Sequence, residues 1–251
     1  MSAPYVPFVF GHGVWCGAFA ARVPAMDDAS PVVVVDVLEP SSAPFFALLL
    51  AGNARAFGDM GMPAWVQLDC ATLPTAMIGF AVRARALDPS VRADLVARAG
   101  LGGIDDDALV PVAEYTALCT PEPGHVVGFS LFSLVPGLGL RAKAMALQAM
   151  GARRQTGITQ RDNTALRTHA RFGPLTIVQV GVAVHSKPKT TLVYELGVPS
   201  DDTLVELARG TRTRVPYAGQ TRERPTDHLQ RGDVVVDVDV GRALATIVDG
   251  S

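Results

Sequence analysis

Residues 124–196 read GHVVGFSLFSLVPGLGLRAKAMALQAMGARRQTGITQRDNTALRTHARFGPLTIVQVGVAVHSKPKTTLVYEL, and this stretch decides the fold. The apolar run His125–Leu134 predicts a strand that ends in Val135-Pro136, after which Gly137-Leu138-Gly139 opens a helix over Leu140–Met150 stopped at Gly151. Leu140, Met145, Leu147 and Met150 form the stripe that such a helix turns toward a core. A strand at Gln155–Thr159 follows, then a helix at Asn163–Arg171 ended by Gly173, then a pair of strands, Leu175–Val184 and Thr191–Leu196. Glycines at a strand-to-helix turn let backbone N–H groups approach a ligand closely, and a helix N-terminus favours an anion. Taken alone, that turn is equally a tight connection between two elements.

The preceding half has the same rhythm. Val32–Leu38, bounded by Pro31 and Pro40, predicts a buried strand, and Ala43–Phe57 predicts a helix behind Ser41 and Ser42. Trp65, Val66 and Leu68 read as a second strand, Leu73–Ile78 as a short helix, Phe80–Leu87 as a third strand and Val110–Leu118 as a further one. Residues 88–110 are more charged and predict a short helix and a connection. The expected organisation is an α/β half at 1–110, a second half at 111–200 that repeats its order as a duplicated unit would, and a polar extension at 201–251 whose Val234–Val240 alternates as a half-exposed strand.

Composition narrows the function. The chain has 251 residues, 49% of them apolar and 18% charged, with a mean hydropathy of +0.26, which excludes wholesale disorder. Its 22 Lys and Arg against 24 Asp and Glu leave no positive field for a phosphate backbone, so nucleic acid is not an expected partner. Cys16, Cys70 and Cys119 are widely spaced and form no CxxC pair, which reads as reduced and cytoplasmic. Residues 1–21 lack a basic leader and hold two prolines and three glycines among their apolar residues, so neither a signal peptide nor a membrane span is expected. No metal is expected either: Asp105–Asp107 lacks the spacing of a calcium loop and reads as helix capping.

The order of elements and glycines in 124–196 resembles the GCN5-related N-acetyltransferase superfamily. In that family a V-x-P strand end leads to a Q/R-x-x-G-x-G/A loop that grips the pyrophosphate of acetyl-CoA, followed by a helix, a strand, an N-x-x-A helix ending in a glycine-aromatic pair, and a hairpin. Gly137 and Gly139 match the loop glycines, Asn163 matches the asparagine, and Gly173 follows ten residues later. The resemblance implies a mixed, largely antiparallel sheet flanked by helices and an acyl group, acetyl above all, carried from acyl-CoA to a small amine. It also implies that the strand pair splays at Pro136. CoA would be held by Leu134, Val135, Gly137, Leu138, Gly139, Leu140 and Asn163, with the Leu134 and Val135 carbonyls pairing with a pantetheine amide. Leu134 stands where the loop has Gln or Arg, and Ala170 where many members place an acidic tyrosine; His169 beside it is the candidate acid. Glu114 and Tyr115, in the strand expected beside the cofactor strand, are candidates for the base that takes the amine proton.

Two other readings stand beside this one. PFVFGHGVWCGAF resembles the oxyanion turn of α/β-hydrolases, and VVGFSLFS their G-x-S-x-G nucleophile elbow, with Ser130 as nucleophile, Asp201 or Asp202 as acid and His228 as base. Phe132 occupies the elbow's second glycine. The third reading is a scaffold with degenerate sites that binds a ligand or partner, and a homodimer remains open in each case.

Overall fold

The computed structural model describes residues 5–24, 31–58, 61–73, 75–160, 165–180, 191–215, 221–223, 234–239 and 244–248. The first half contains β1 (Val6–Gly11), α1 (Gly13–Ala20), β2 (Val33–Asp36), α2 (Ala43–Phe57), α3 (Ala64–Thr72), β3 (Thr75–Arg83) and α4 (Pro89–Arg98). There follow β4 (Leu109–Cys119), β5 (His125–Ser133), α5 (Leu138–Ala149), β6 (Arg154–Gln160), α6 (Ala165–His169), β7 (Leu175–Val180) and β8 (Thr191–Gly197). The chain then adds α7 (Asp201–Arg209), β9 (Thr221–Glu223), β10 (Val234–Asp239) and β11 (Leu244–Val248).

Among the described residues the strands form one sheet in the order β2-β1-β3-β4-β5-β6-β8-β7-β10-β11-β9. Only β1–β2 and β5–β6 pair in parallel, so the sheet is mixed and largely antiparallel, as expected from the sequence. The β3–β4 ladder carries it across residue 110, with a bulge between the Phe80–Ala113 and Ala81–Pro111 pairs.

Helices cover both faces. Leu138, Met145 and Leu147 of α5 pack with Cys16 and Phe19 of α1, Leu204 and Leu207 of α7, and Ile78 and Tyr115 of the sheet. On the other face Phe45 and Leu49 of α2 and Cys70 of α3 meet Phe8, Phe10, Met77 and Phe132, while α4 reaches Leu48 of α2 through Leu95. Each large apolar side chain fully buried this way contributes roughly 1.5–3 kcal/mol. The β4 strand is buried on both faces over most of its length, which explains its nearly unbroken apolar sequence. The α4 helix starts where Asp88 accepts the Ser90 amide at 2.8 Å, and α2 stops at Gly58, whose φ of 57° suits a residue without Cβ.

Several local expectations are corrected. Residues 65–68 belong to helix α3, which buries Gln67, Cys70 and Ala71 at helical spacing and exposes Trp65 and Leu68. Residues 75–78, expected in a short helix, belong to strand β3, which ends at Arg83 rather than Leu87. Short apolar runs fit either period, and burial against the sheet decided between them. The expected buried strand at 32–38 is a half-exposed edge strand. Asp105–Asp107 caps no helix: it closes the turn before β4, with the Asp107 amide on Asp105 Oδ1 at 2.7 Å and Asp106 paired to Arg92 at 2.6 Å. Residues 221–223, within the expected polar extension, are strand β9, paired with β11, and β10 docks on β7. No helix among the described residues is long and apolar enough to cross a membrane.

The feature that positions the site lies between β5 and β6. Their ladder runs from His125–Arg154 to Gly128–Gly157 and stops. Beyond it β5 stays with β4 as far as the Ser133–Ala113 pair, and β6 stays with β8 to Gln160–Thr191, so the two strands part. The parting therefore begins well before Pro136. Phe129 is the extra residue of a bulge between the Gly128–Ala117 and Ser130–Thr116 pairs, and a bulge turns its strand away from its neighbour. A Cβ at residue 128 would collide with the Tyr115 hydroxyl, and one at 157 with the Tyr194 ring. Gly128→Ala is expected to cost about 1–3 kcal/mol by overpacking, and Tyr115→Phe in the same chain to recover most of that; urea unfolding of both single variants and the pair measures the coupling.

Candidate functional site

The gap left by the parted strands is bordered by Phe129 on β5 and Ile158 on β6, each 45% exposed although both strands are central. At its wide end stands the start of α5. Gly137, in the left-handed conformation at φ 84°, precedes the helix and offers no side-chain cap to the Gly139 and Leu140 amides that follow Leu138. Pro136 and Gly137 are exposed, while the Leu138 and Leu140 side chains point into the core. A Cβ on Gly139 would face Ser133 and Leu131, at 3.3 and 3.5 Å, which places the helix start over the free stretch of β5. The Val135 carbonyl is not free, contrary to expectation. It accepts the Ser133 hydroxyl at 2.6 Å and the Leu138 amide at 3.3 Å, closing the turn. Leu134 packs its side chain on the α2 side of the sheet and gives its amide to the Val112 carbonyl at 2.8 Å. Asn163 lies outside the described residues.

Glu114 and Tyr115 were expected to serve one centre. Consecutive strand residues point to opposite faces, and the structure separates them accordingly. Glu114 lies on the α2 face, 1% exposed, with Thr116 Oγ1 bonded to its Oε1. Burial pushes its pKa up to about 8, against the opposing influence of hydrogen-bonding Thr116 and Ser130, and no basic side chain acts on it. Its Oε2 has no aligned partner. Ser130, directly opposite Thr116, accepts a bond from Asn53 Nδ2 of α2 at 3.0 Å, and Asn53 Oδ1 accepts the Met62 amide at 2.9 Å.

Tyr115 belongs to a different cluster on the α5 face. Lys143, fully buried in α5, points its Nζ at His169 Nδ1 at 2.9 Å and lies over the rings of Phe172, Tyr115 and Tyr194, at 4.5, 5.8 and 6.0 Å from their centroids. Gln155 Nε2 donates to the Tyr194 hydroxyl at 3.1 Å, while Tyr115 Oη, Gln155 Oε1 and Thr159 Oγ1 are buried without partners. Burial holds the pKa of Lys143 well below the usual ammonium range, and burial together with Lys143 does the same to His169. His169 lies in a packed helix interface, where burial and Lys143 disfavour the charged form from which it was expected to act as the acid.

The nucleophile elbow of the hydrolase reading is not formed. Ser130 lies inside strand β5 and not on a strand-to-helix turn, and His12 caps α1, its Nδ1 accepting the Val14 amide at 3.3 Å. His228 lies outside the described residues. Lys143, Asn53, Thr116 and Tyr194 were missed as site residues. The signal for Lys143 was present: it stands three residues after Leu140 and four before Leu147, on the apolar stripe of its helix.

No family model matches the chain, and no curated protein matches it in sequence. Solved structures do. An acetyltransferase of the GNAT family from Desulfovibrio desulfuricans is 15% identical, covering 64% of this chain and 96% of its own, with a TM-score of 0.41. A chain of the NatC complex, solved with Gag peptide and CoA, is 12% identical, with coverages of 64% and 96% and a TM-score of 0.43. An aminoglycoside 6'-acetyltransferase of type Ii is 12% identical, with coverages of 62% and 93% and a TM-score of 0.40.

The two buried clusters give opposite pH signatures. Glu114 has a raised pKa when folded, so its favourable contribution is complete below the unfolded value of 4.5 and is lost as pH rises through about 8. Lys143 and His169 have lowered values, so the unfolded chain holds more protons and stability rises with pH up to their ordinary ranges, near 10.5 and 6.5 respectively. Glu114→Gln is expected to remove the loss between pH 4.5 and 8, and Lys143→Met to flatten the alkaline rise, both read from urea midpoints across pH.

Proposed function

We propose that the chain is an acyltransferase that moves an acyl group, acetyl above all, from acyl-CoA to a small amine. The observation that carries this reading is the parting of β5 from β6 at Gly128–Gly157 with the start of α5 set over the free stretch of β5. Backbone groups on the parted edges have no strand partner in the gap, and an extended amide-bearing chain satisfies such groups as an added strand would. Phe129 and Ile158 offer apolar contact to the arm of that chain. The exposed turn at Pro136-Gly137 and the Gly139 and Leu140 amides of the first turn suit a pyrophosphate, since they combine N–H donors with the positive end of the helix dipole.

Glu114 is the base. As the amine nitrogen bonds to the thioester carbonyl carbon it loses a proton, and a carboxylate whose pKa is near 8 has the basicity for that at neutral to mildly alkaline pH. When the C–S bond breaks, the electron pair leaves on sulfur, and the thiolate takes its proton from solvent at the open mouth. The acceptor approaches from the α2–α3 face, where Glu114 lies.

CoA should raise the melting temperature and pantetheine should not, with about 2.7 kcal/mol of stabilisation at 100 times Kd. Ser133→Asp, which sets a negative charge at the exposed mouth beside Gly139, is expected to weaken CoA binding at least tenfold while leaving the urea midpoint within about 0.5 kcal/mol. No shift with CoA in the unsubstituted protein overturns the reading.

A further inference from the structure

The reading above leaves Ser130 without a role, although its surroundings are unusually determined. The Met62 amide can only donate, so the Asn53 side-chain atom facing it at 2.9 Å is the oxygen. The other end of Asn53, 3.0 Å from Ser130 Oγ, is therefore the NH2 group. A serine oxygen that accepts from an amide has its own hydrogen left to give. The ionisable group on which Ser130 acts is Glu114, whose Oε2 is buried without a hydrogen-bond partner among the described residues. Ser130 also differs from its companions in access: it is 8% exposed where Asn53, Glu114 and Thr116 are each 1% exposed, and it stands on the stretch of β5 beyond the parting.

We propose that Ser130 is a catalytic relay that carries the acceptor's proton to Glu114, and that Asn53 is the positioning residue that orients it. This rests on the acyl-transfer reading. As the amine nitrogen forms its bond to the acyl carbon, one N–H bond breaks and the proton passes to Ser130 Oγ. The serine's own hydrogen passes to Glu114 Oε2, and the C–S electron pair leaves on sulfur. Ser130 ends as it began, Glu114 ends protonated, and solvent restores it. Asn53 in turn ties the relay to the Met62 backbone, so the orientation of the serine depends on the placement of that residue.

The groups that face Glu114 are few. Cys70 of α3 and Tyr115 beside it are titratable, both held protonated by burial; Asn53 of α2, Gly79 of β3, and Ser130 and Phe132 of β5 are not ionised at any ordinary pH. A change in the titration of Glu114 therefore reports on its hydroxyl neighbours.

The experiment compares the full chain with Ser130→Ala, Ser130→Thr and Asn53→Ala, using acetyl-CoA and a primary amine acceptor. The expected result for Ser130→Ala is a kcat about 100-fold lower, with KM for acetyl-CoA and the thermal shift by CoA unchanged. Ser130→Thr, which restores a hydroxyl, should recover most of the rate. Asn53→Ala should lower kcat and shift the pH profile while still binding CoA. Infrared titration of the buried carboxyl should show its midpoint moving upward in Ser130→Ala, a change that loss of packing alone does not produce. If CoA binds and Glu114→Gln abolishes transfer but Ser130→Ala keeps kcat within twofold, the relay is wrong and the base stands. If the unsubstituted protein neither binds CoA nor transfers, the acyl-transfer reading fails and takes the relay with it.

Discussion

The structure depends on what happens where Gly128 and Gly157 face each other. Up to that pair β5 and β6 satisfy one another's backbone groups; beyond it each keeps only its outer partner, β4 or β8. A parted pair in the middle of a sheet leaves amide and carbonyl groups without strand partners, and such groups must find others. The parting is supported from both sides. The bulge at Phe129 turns β5 aside, and the absence of side chains at 128 and 157 lets the Tyr115 and Tyr194 rings settle onto the strands from the α5 face. The helix that buries those rings is the one whose start overlooks the gap.

The two faces of β4 solve a similar electrostatic problem differently. Isolating an ionisable group from water is costly unless it is neutral or paired. On the α5 face Lys143 has no carboxylate; it meets His169 and three aromatic rings, and burial favours the neutral amine. On the α2 face Glu114 has no cation; it meets hydroxyls, and burial favours the neutral acid. Each is an ionisable group whose burial disfavours its charged form. Only the α2 cluster includes a residue, Ser130, that stands on the free stretch of β5 and retains some exposure.

Much of the fold was legible because it follows periodicity. The bounds of α2, the β4 and β5 strands, α5 with its preceding glycine, and the β7–β8 pair all follow from hydrophobic spacing and from breakers such as Gly58, Pro136 and Gly151. The segment 64–83 was misread because Trp65 and Leu68, apolar enough for a strand, lie on the exposed side of helix α3, while Gln67, a polar residue, is buried. Glu114 was legible as a candidate, but its partners Asn53 and Ser130 are 77 residues apart and carry no joint mark in the chain.

What the sequence by itself determined is which residues turn, which alternate and which form an apolar stripe, since these depend on chemistry a few residues away. Tertiary structure alone decided that Glu114 and Tyr115 lie on opposite faces, that β5 leaves β6 at a glycine pair, and that an asparagine from α2 hydrogen-bonds a serine from β5. Those outcomes follow from strand register and from which helix covers which face, and both are settled by packing the whole chain at once.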